Sequence, residues 1–439
     1  MYTLLSRIRG VIEDALTHTG FRRYLANTGW LFAARILTLL VSFIATLYVA
    51  RGLGPENYGQ LSYALSFTAL FGIIASLGID GILYRDLIRF PDRRESILGT
   101  ALAIRLVTGA CTGILAASLG FLLTDDVSAV VILVLSGTFF LSSFQLLQFE
   151  FQARAESKYP SLVAIGIALI LNGLKVAVIA SDQGVLYLAA VLLLEPILYA
   201  GAYLYAYSRF SQASMRRWRF DSQYARSLLL DSTPLIAFSA FSIVYARIDQ
   251  VLIKHLIDAR AVGMYDAAVR IAELWAFIPG LLITSVFPAI INARTVSEKL
   301  YNKRLGRLAL LLFILAIGVS AVVSFLAPFI MSTLYGAEFL EGIPVLQIYV
   351  WAFVGTSLGI LVTQYLVAEN RRKILTFIAL VPMLVNVGLN LAWLPVYGIV
   401  GAAYATVISY SLTPLMLLLF KSTRTRLKAI LTPSREIAP

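Results

Sequence analysis

The sequence predicts an all-α protein that crosses a membrane about twelve times, and two observations carry that expectation. Of its 439 residues, 59% are hydrophobic and 14% charged, against about 25% charged in soluble domains, and the mean hydropathy is +0.83. The apolar residues also gather into runs long enough to cross a bilayer, which takes about 20 residues per helix. The runs lie at 28–50, 61–83, 99–123, 129–149, 160–180, 185–207, 228–253, 263–290, 308–330, 343–367, 374–394 and 399–420. The seventh is the least regular, because Asp231, Arg247, Asp249 and Lys254 interrupt it.

Before the first span, Leu4, Leu5, Ile8, Val11, Ile12, Ala15 and Leu16 recur at helical spacing with Arg7 and Arg9 among them. That pattern predicts an amphipathic helix on the membrane surface rather than a signal peptide. Lysines and arginines then set the orientation. Twenty-eight of them fall in the tails and alternate connections on one side, against Arg51, Lys254 and Arg260 on the other. The positive-inside rule therefore places both termini in the cytoplasm. It also accounts for the net charge of +12 without nucleic acid, which would need a basic face on a folded soluble domain. The outer connections, such as Thr124–Ser128, Ser181–Gly184 and Pro395–Gly398, are too short to hold a catalytic domain.

A weak internal repeat divides the spans into halves. Leu53–Ala64 lines up with Ile257–Ala268, matching Gly59 to Gly263, and Asn172 and Gly184 match Asn386 and Gly398. Six spans return the chain to its starting side, so the expected architecture is two parallel six-helix lobes around a central cavity. The predicted divisions are a cytoplasmic amphipathic segment over 1–27, a first lobe over 28–207, a basic linker over 208–227, a second lobe over 228–420 and a basic tail over 421–439.

Chemistry must then come from polar groups among the helices, where an ionisable side chain costs about 2.5–3.5 kcal/mol at mid-membrane and so lines a cavity or finds a partner. Arg35 lies deep in the first span, on a stripe with Thr28, Thr38, Ser42 and Thr46. Arg270 and Glu273 stand at i,i+3 in the eighth span, where they can touch. Arg247 and Asp249 are two residues apart in the seventh, on different helix faces, which predicts different partners. Arg105 and Lys175 lie near span ends, where snorkelling to the interface is an equal explanation; Asp80 and Asp231 fall under the same explanation. Glu195 precedes Pro196 in the middle of the sixth span, where a proline permits a kink. Asn386 and Asn390, at i,i+4, and the stripe Gln145, Gln148 and Gln152 suit either sugar hydroxyls or interhelical hydrogen bonds. The lone Cys111 and the distant His18 and His255 make no disulfide, redox or metal motif.

Four stretches carry a resemblance: Leu47–Gly59 (LYVARGLGPENYG), Tyr245–Val251 (YARIDQV), Gly263–Leu274 (GMYDAAVRIAEL) and Pro395–Thr406 (PVYGIVGAAYAT). They resemble the polysaccharide transporter (Wzx-type) flippases, of the superfamily that also holds the multidrug and toxin extrusion (MATE) exporters and the lipid II flippases. The resemblance implies a MATE-like fold and a flippase of the bacterial inner membrane, not an enzyme. Its implied job is moving an undecaprenyl-pyrophosphate-linked oligosaccharide, an O-antigen or exopolysaccharide repeat unit, from the cytoplasmic to the outer leaflet. Arg35, Arg247, Arg270, Arg105 and Lys175 are then the expected cationic contacts, since arginine binds pyrophosphate oxygens bidentately. Glu195, Glu273 and Asp249 are the candidates for ion coupling or ion pairing. No cofactor is expected beyond a coupling ion, H+ or Na+. Expected partners are the lipid-linked glycan, the bilayer and the polysaccharide polymerase or export machinery, with no nucleic acid. The rival within the fold is a multidrug or cation antiporter, which is expected to carry an acidic residue in the first span, where this chain has Arg35.

Overall fold

The structure is a computed structural model that describes residues 19–124, 126–211 and 215–419. Residues 1–18 of the predicted surface helix and the tail over 421–439 lie outside the described residues, in which every regular element is a helix. The long helices are α1 (Thr19–Ser76), α3 (Arg94–Leu123), α4 (Val127–Leu141), α6 (Lys158–Ala180), α7 (Val185–Phe210), α8 (Ser222–Leu256), α9 (Ala259–Glu273), α10 (Phe277–Val296), α11 (Glu298–Leu334), α13 (Ala352–Ala368) and α14 (Arg372–Leu415). Short helices α2 (Asp80–Arg89), α5 (Leu147–Ala153) and α12 (Ile343–Tyr349) complete them.

Among the described residues nine helical segments are long and apolar enough to cross a membrane. A tenth pairs Ala337–Tyr349 with Ala352–Ala368 across a 47° bend. Two of the ten contain a break. Gly54 stands at φ 70° inside α1 and Gly398 at φ 59° inside α14, a left-handed conformation that glycine adopts without the Cβ penalty. Pro55 follows the first break, where its fixed φ suits the first turn of a new helix. With apolar helix on each side of both breaks, the ten segments hold the twelve predicted passes.

The chain packs as two compact units. Unit 1 comprises the described residues up to Gly52 together with Phe71–Ile236, and unit 2 comprises Leu53–Leu70 and Ala237 onward. Leu53–Leu70 thus packs with unit 2 although it precedes the 208–227 segment in the chain.

Unit 1 is built from close helix crossings and a polar end. A Cβ on Gly109 of α3 would lie 2.6 Å from Phe139 O of α4, so the small residue lets the two backbones meet. Amphipathic α2 buries Ile82, Leu83 and Leu87 against the ends of α3, α5, α7 and α8. At this end the charges pair: Arg105 with Asp80, Arg93 with Asp221 at 2.9 Å and Arg85 with Asp86 at 2.8 Å. Pro196 lies inside α7, which runs helical through it.

Unit 2 has an apolar core formed by Ile283, Ile290, Tyr301, Leu305, Leu361 and Leu366 with their neighbours. In the same unit α1 and α9 cross at the repeat's matched glycines. A Cβ added to Gly59 would collide with Ala259 O, and one added to Gly263 would collide with Pro55 O. Pro55 and Ala259 are themselves matched positions in the repeat, so this crossing maps onto itself when the halves are exchanged.

Candidate functional site

Unit 2 buries two carboxylates in the middle of its apolar helices, and they are satisfied in different ways. Asp266 of α9 is 1% exposed. Its Oδ2 accepts hydrogen bonds from Tyr58 at 2.6 Å, Ser62 at 3.0 Å and Arg270 Nε at 3.1 Å, and its Oδ1 accepts from Gln250 Nε2 at 2.8 Å. Ser66 donates in turn to Gln250 Oε1. Ser62 and Asp266 occupy matched positions of the repeat, so the hydrogen bond between them lies on the same self-mapping crossing as the glycines.

Asp249 of α8 is 4% exposed. Its Oδ2 accepts from Thr406 at 2.6 Å and Tyr265 at 2.7 Å, and its Oδ1 accepts from Asn390 Nδ2 at 2.8 Å. Asn386 joins this group through its hydrogen bonds to Asn390 and Thr406. All of these donors are neutral, and Asp249 has no cationic partner among the described residues. Asn390 Oδ1 is buried and accepts no hydrogen bond. A carboxylate, a hydroxyl and a free amide oxygen form a set of hard oxygen donors, the kind that takes a proton or a small monovalent cation.

One turn from Asp249, on the same face of α8, Tyr245 stacks on Tyr410 of α14 with ring centroids 4.2 Å apart. The pair lines a pocket of about 290 Å³ with Ser242, Thr363, Gln364 and Thr413. Nearby, Arg247 faces Glu273 at 3.6 Å, with side chains 28% and 34% exposed. That separation keeps the charges attracted but lies beyond hydrogen-bond reach, which leaves the guanidinium donors of Arg247 open to another acceptor.

These contacts separate the residues singled out from the sequence. Arg247 and Asp249 take different partners, as their two-residue offset predicts. Arg270 hydrogen-bonds Asp266 rather than Glu273, a correction with a physical reason: an acid four residues before a base is the better helical pair. Glu273 turns instead to Arg247. Arg105 is 6% exposed and committed to Asp80. Glu195 and Lys175 are electrostatic neighbours in unit 1. Arg35 is exposed, with no ion pair among the described residues. Around it, Thr38 and Thr46 bond back to Ala34 O and Ser42 O, and Ser42 accepts from Asn172; the side chain of Thr28 is outside the description. Asp266, Tyr58, Ser62, Gln250 and Thr406 escaped the sequence reading. The signal that was there for Asp266 is its i,i+4 position before Arg270.

A family model described as "Polysaccharide biosynthesis protein" matches residues 24–294. A protein of Shigella flexneri named "Putative O-antigen transporter" is 21% identical over 422 residues, covering 89% of this chain and 96% of its own length. Among solved structures, "Lipid II flippase MurJ, inward closed conformation" superposes with a TM-score of 0.69 at 15% identity, covering 93% of this chain and 90% of its own. A multidrug resistance MATE family transporter of the MOP superfamily, inward-facing, gives 0.68 at 15% identity, covering 90% of this chain and 96% of its own.

Proposed function

This chain belongs to the polysaccharide biosynthesis protein family, and from that premise we propose that it flips an undecaprenyl-pyrophosphate-linked oligosaccharide across the bacterial inner membrane. The fold alone does not choose between cargoes, since the lipid II flippase and the multidrug transporter superpose almost equally well. The sign of the available charge supports the anionic cargo. Arg35 is exposed without an ion pair among the described residues, and Arg247 is held only loosely by Glu273. Both suit a pyrophosphate, whose oxygens match the planar guanidinium fork. A cationic drug would be repelled by the same groups. Arg270 and Arg105, each bound to a carboxylate, orient and brace, while Lys175 keeps Glu195 company.

The sugar needs contacts of another kind. The stacked rings of Tyr245 and Tyr410, with Gln364 and the hydroxyls of Thr363 and Thr413 beside them, combine apolar faces with hydrogen-bonding groups, as a sugar ring requires. Asp249 with Asn386, Asn390 and Thr406 is the coupling site in this proposal, taking H+ or Na+ as co-transported cargo. Asp249 lies one turn from Tyr245, which stacks on Tyr410, and Arg247 pairs with Glu273, so the ion, sugar and Arg247 contacts of this proposal fall within one unit. Transport proceeds by alternating access to the two sides of the membrane, the head group crossing while the lipid tail stays in the bilayer.

The observation that carries this reading is the exposed Arg35 with no ion pair among the described residues, together with Arg247 at 3.6 Å from Glu273, and cells test it. Arg35→Ala and Arg247→Ala are each expected to abolish surface polysaccharide while the protein stays at normal abundance in the membrane. Normal export by the double variant contradicts the proposal.

A further inference from the structure

Where the ion pairs of unit 1 gather, a cavity of about 250 Å³ is lined by Asp92, Arg94, Glu95, Glu150, Arg154 and Ser211. Glu150 is 1% exposed, and neither of its carboxyl oxygens accepts a hydrogen bond. Arg94 Nε, buried beside it, donates none. The guanidinium groups of Arg94 and Arg154 stand 3.7 and 4.0 Å from Glu150 Oε1. These distances give charge attraction without hydrogen bonds, unlike the 2.9 Å contact of Arg93 with Asp221 in the same unit. Acceptor and donor capacity are thus both buried and both unused, a costly arrangement until something supplies the missing groups.

A ligand that completes this site donates hydrogen bonds to Glu150 and accepts from Arg94 at once. A simple anion meets the carboxylates, and a simple cation meets the arginines. A quaternary ammonium has no N–H to give. Lining and position narrow the choice further. The lining has no aromatic face for a sugar ring, unlike the pocket beside Tyr245 and Tyr410, so the glycan is not assigned to it. Arg94 opens α3, Glu150 lies within the short α5 and Ser211 follows the last residue of α7. The positive-inside rule puts these connections on the cytoplasmic side, which in this proposal is the height of lipid headgroups.

We propose that this cavity binds a primary-ammonium phosphate zwitterion, the chemistry of a phosphoethanolamine headgroup. The ammonium hydrogen-bonds to Glu150, and the phosphate accepts from Arg94. The site is separate from the cargo groups assigned above and does not depend on their role.

Native mass spectrometry of the full-length purified protein, titrated with phosphatidylethanolamine and its N-methyl, N,N-dimethyl and N,N,N-trimethyl analogues, tests this without any variant. Affinity is expected to fall stepwise as N–H groups are removed, by roughly tenfold or more from first to last, the worth of one charged hydrogen bond. Soluble phosphoethanolamine is titrated in parallel. A response to it with no preference among the lipids assigns the same chemistry to a solute rather than a lipid. Equal retention of all four lipids together with no response to phosphoethanolamine overturns the proposal. Glu150→Gln is expected to erase the preference while total lipid binding persists, and a variant that keeps the wild-type preference also overturns it.

Discussion

Asp266 and Asp249 are the same residue type, each about two turns from the junction between the consecutive helices α8 and α9 of one unit, and both are almost fully buried. Asp266 is met by a guanidinium and three neutral donors. Asp249 is met by neutral donors alone. In an apolar interior this difference decides what each can do. A carboxylate locked to Arg270 keeps its charge and holds the crossing of α1 and α9 in register. A carboxylate without a counter-charge carries a standing desolvation cost that a proton or a small cation relieves. In the proposed function the first is a structural charge and the second an exchangeable one.

The largest effect expected from this contrast is at the structural charge. Asp266→Ala leaves the buried donors Tyr58, Ser62 and Gln250, and the half-buried Arg270, without their acceptor and is expected to destabilise by about 3 kcal/mol or more, read as loss of folded protein in detergent melts. A variant with wild-type melting would break the distinction between the two sites. Next comes the crossing that Asp266 locks. Gly59→Leu places a side chain against Ala259 O and is expected to cost about 1–3 kcal/mol or more through overpacking. Gly263→Leu is expected to match it, because the two positions exchange under the repeat. Unequal penalties would show the crossing to be less symmetric than its contacts.

Asp249→Asn sharpens the comparison from the other side. The amide keeps an acceptor for Tyr265 and Thr406 and offers a donor to Asn390 Oδ1, so stability is expected to change by only about 1 kcal/mol. What the substitution removes is charge. The wild-type melting temperature is expected to rise with the coupling ion, following the logarithm of its concentration, whereas that of the variant stays flat. An unchanged ion response would remove Asp249 from coupling.

The smallest effect lies outside the membrane, at Asp221. The backbone N–H of Tyr224 first, and then those of Gln223 and the Arg93 guanidinium, hold its carboxyl below the usual carboxylate range. A depressed folded value means that the contribution is complete above the ordinary carboxylate value and is lost as pH falls through the folded one. Acidification is accordingly expected to loosen the start of α8 slightly, and Asp221→Asn is expected to flatten that dependence in amide exchange at Gln223 and Tyr224.

The spans were legible because each apolar run exceeds what any soluble helix needs, and the break at Gly54 was marked by the glycine and proline that permit it. The repeat was legible at Gly59 and Gly263 because a backbone contact tolerates no side chain, so both halves keep the same residue. The site was legible only where local spacing speaks. The offset of Arg247 from Asp249 predicts separate partners, and they have them. Asp266 was hidden because its donors Tyr58 and Ser62 lie 208 and 204 residues away, and no local pattern announces a contact made across the chain. Glu150 was hidden for a different reason. It stands just past the end of an apolar run, where a glutamate ordinarily meets water, and only the packing of α2, α3, α5 and α7 around it removes that water.

In the proposed function the cargo is an anionic lipid-linked glycan, received by Arg35, which has no ion pair among the described residues, and by Arg247, which Glu273 holds at 3.6 Å. Reconstituted protein tests it most directly, by following how fast a pyrophosphate-linked lipid oligosaccharide becomes accessible on the opposite face of proteoliposomes. Wild-type protein is expected to move it, the Arg35→Ala/Arg247→Ala double variant to fall to the rate of protein-free vesicles, and cationic dyes not to be carried. Wild-type protein that extrudes the dyes and leaves the glycan in place would contradict the account.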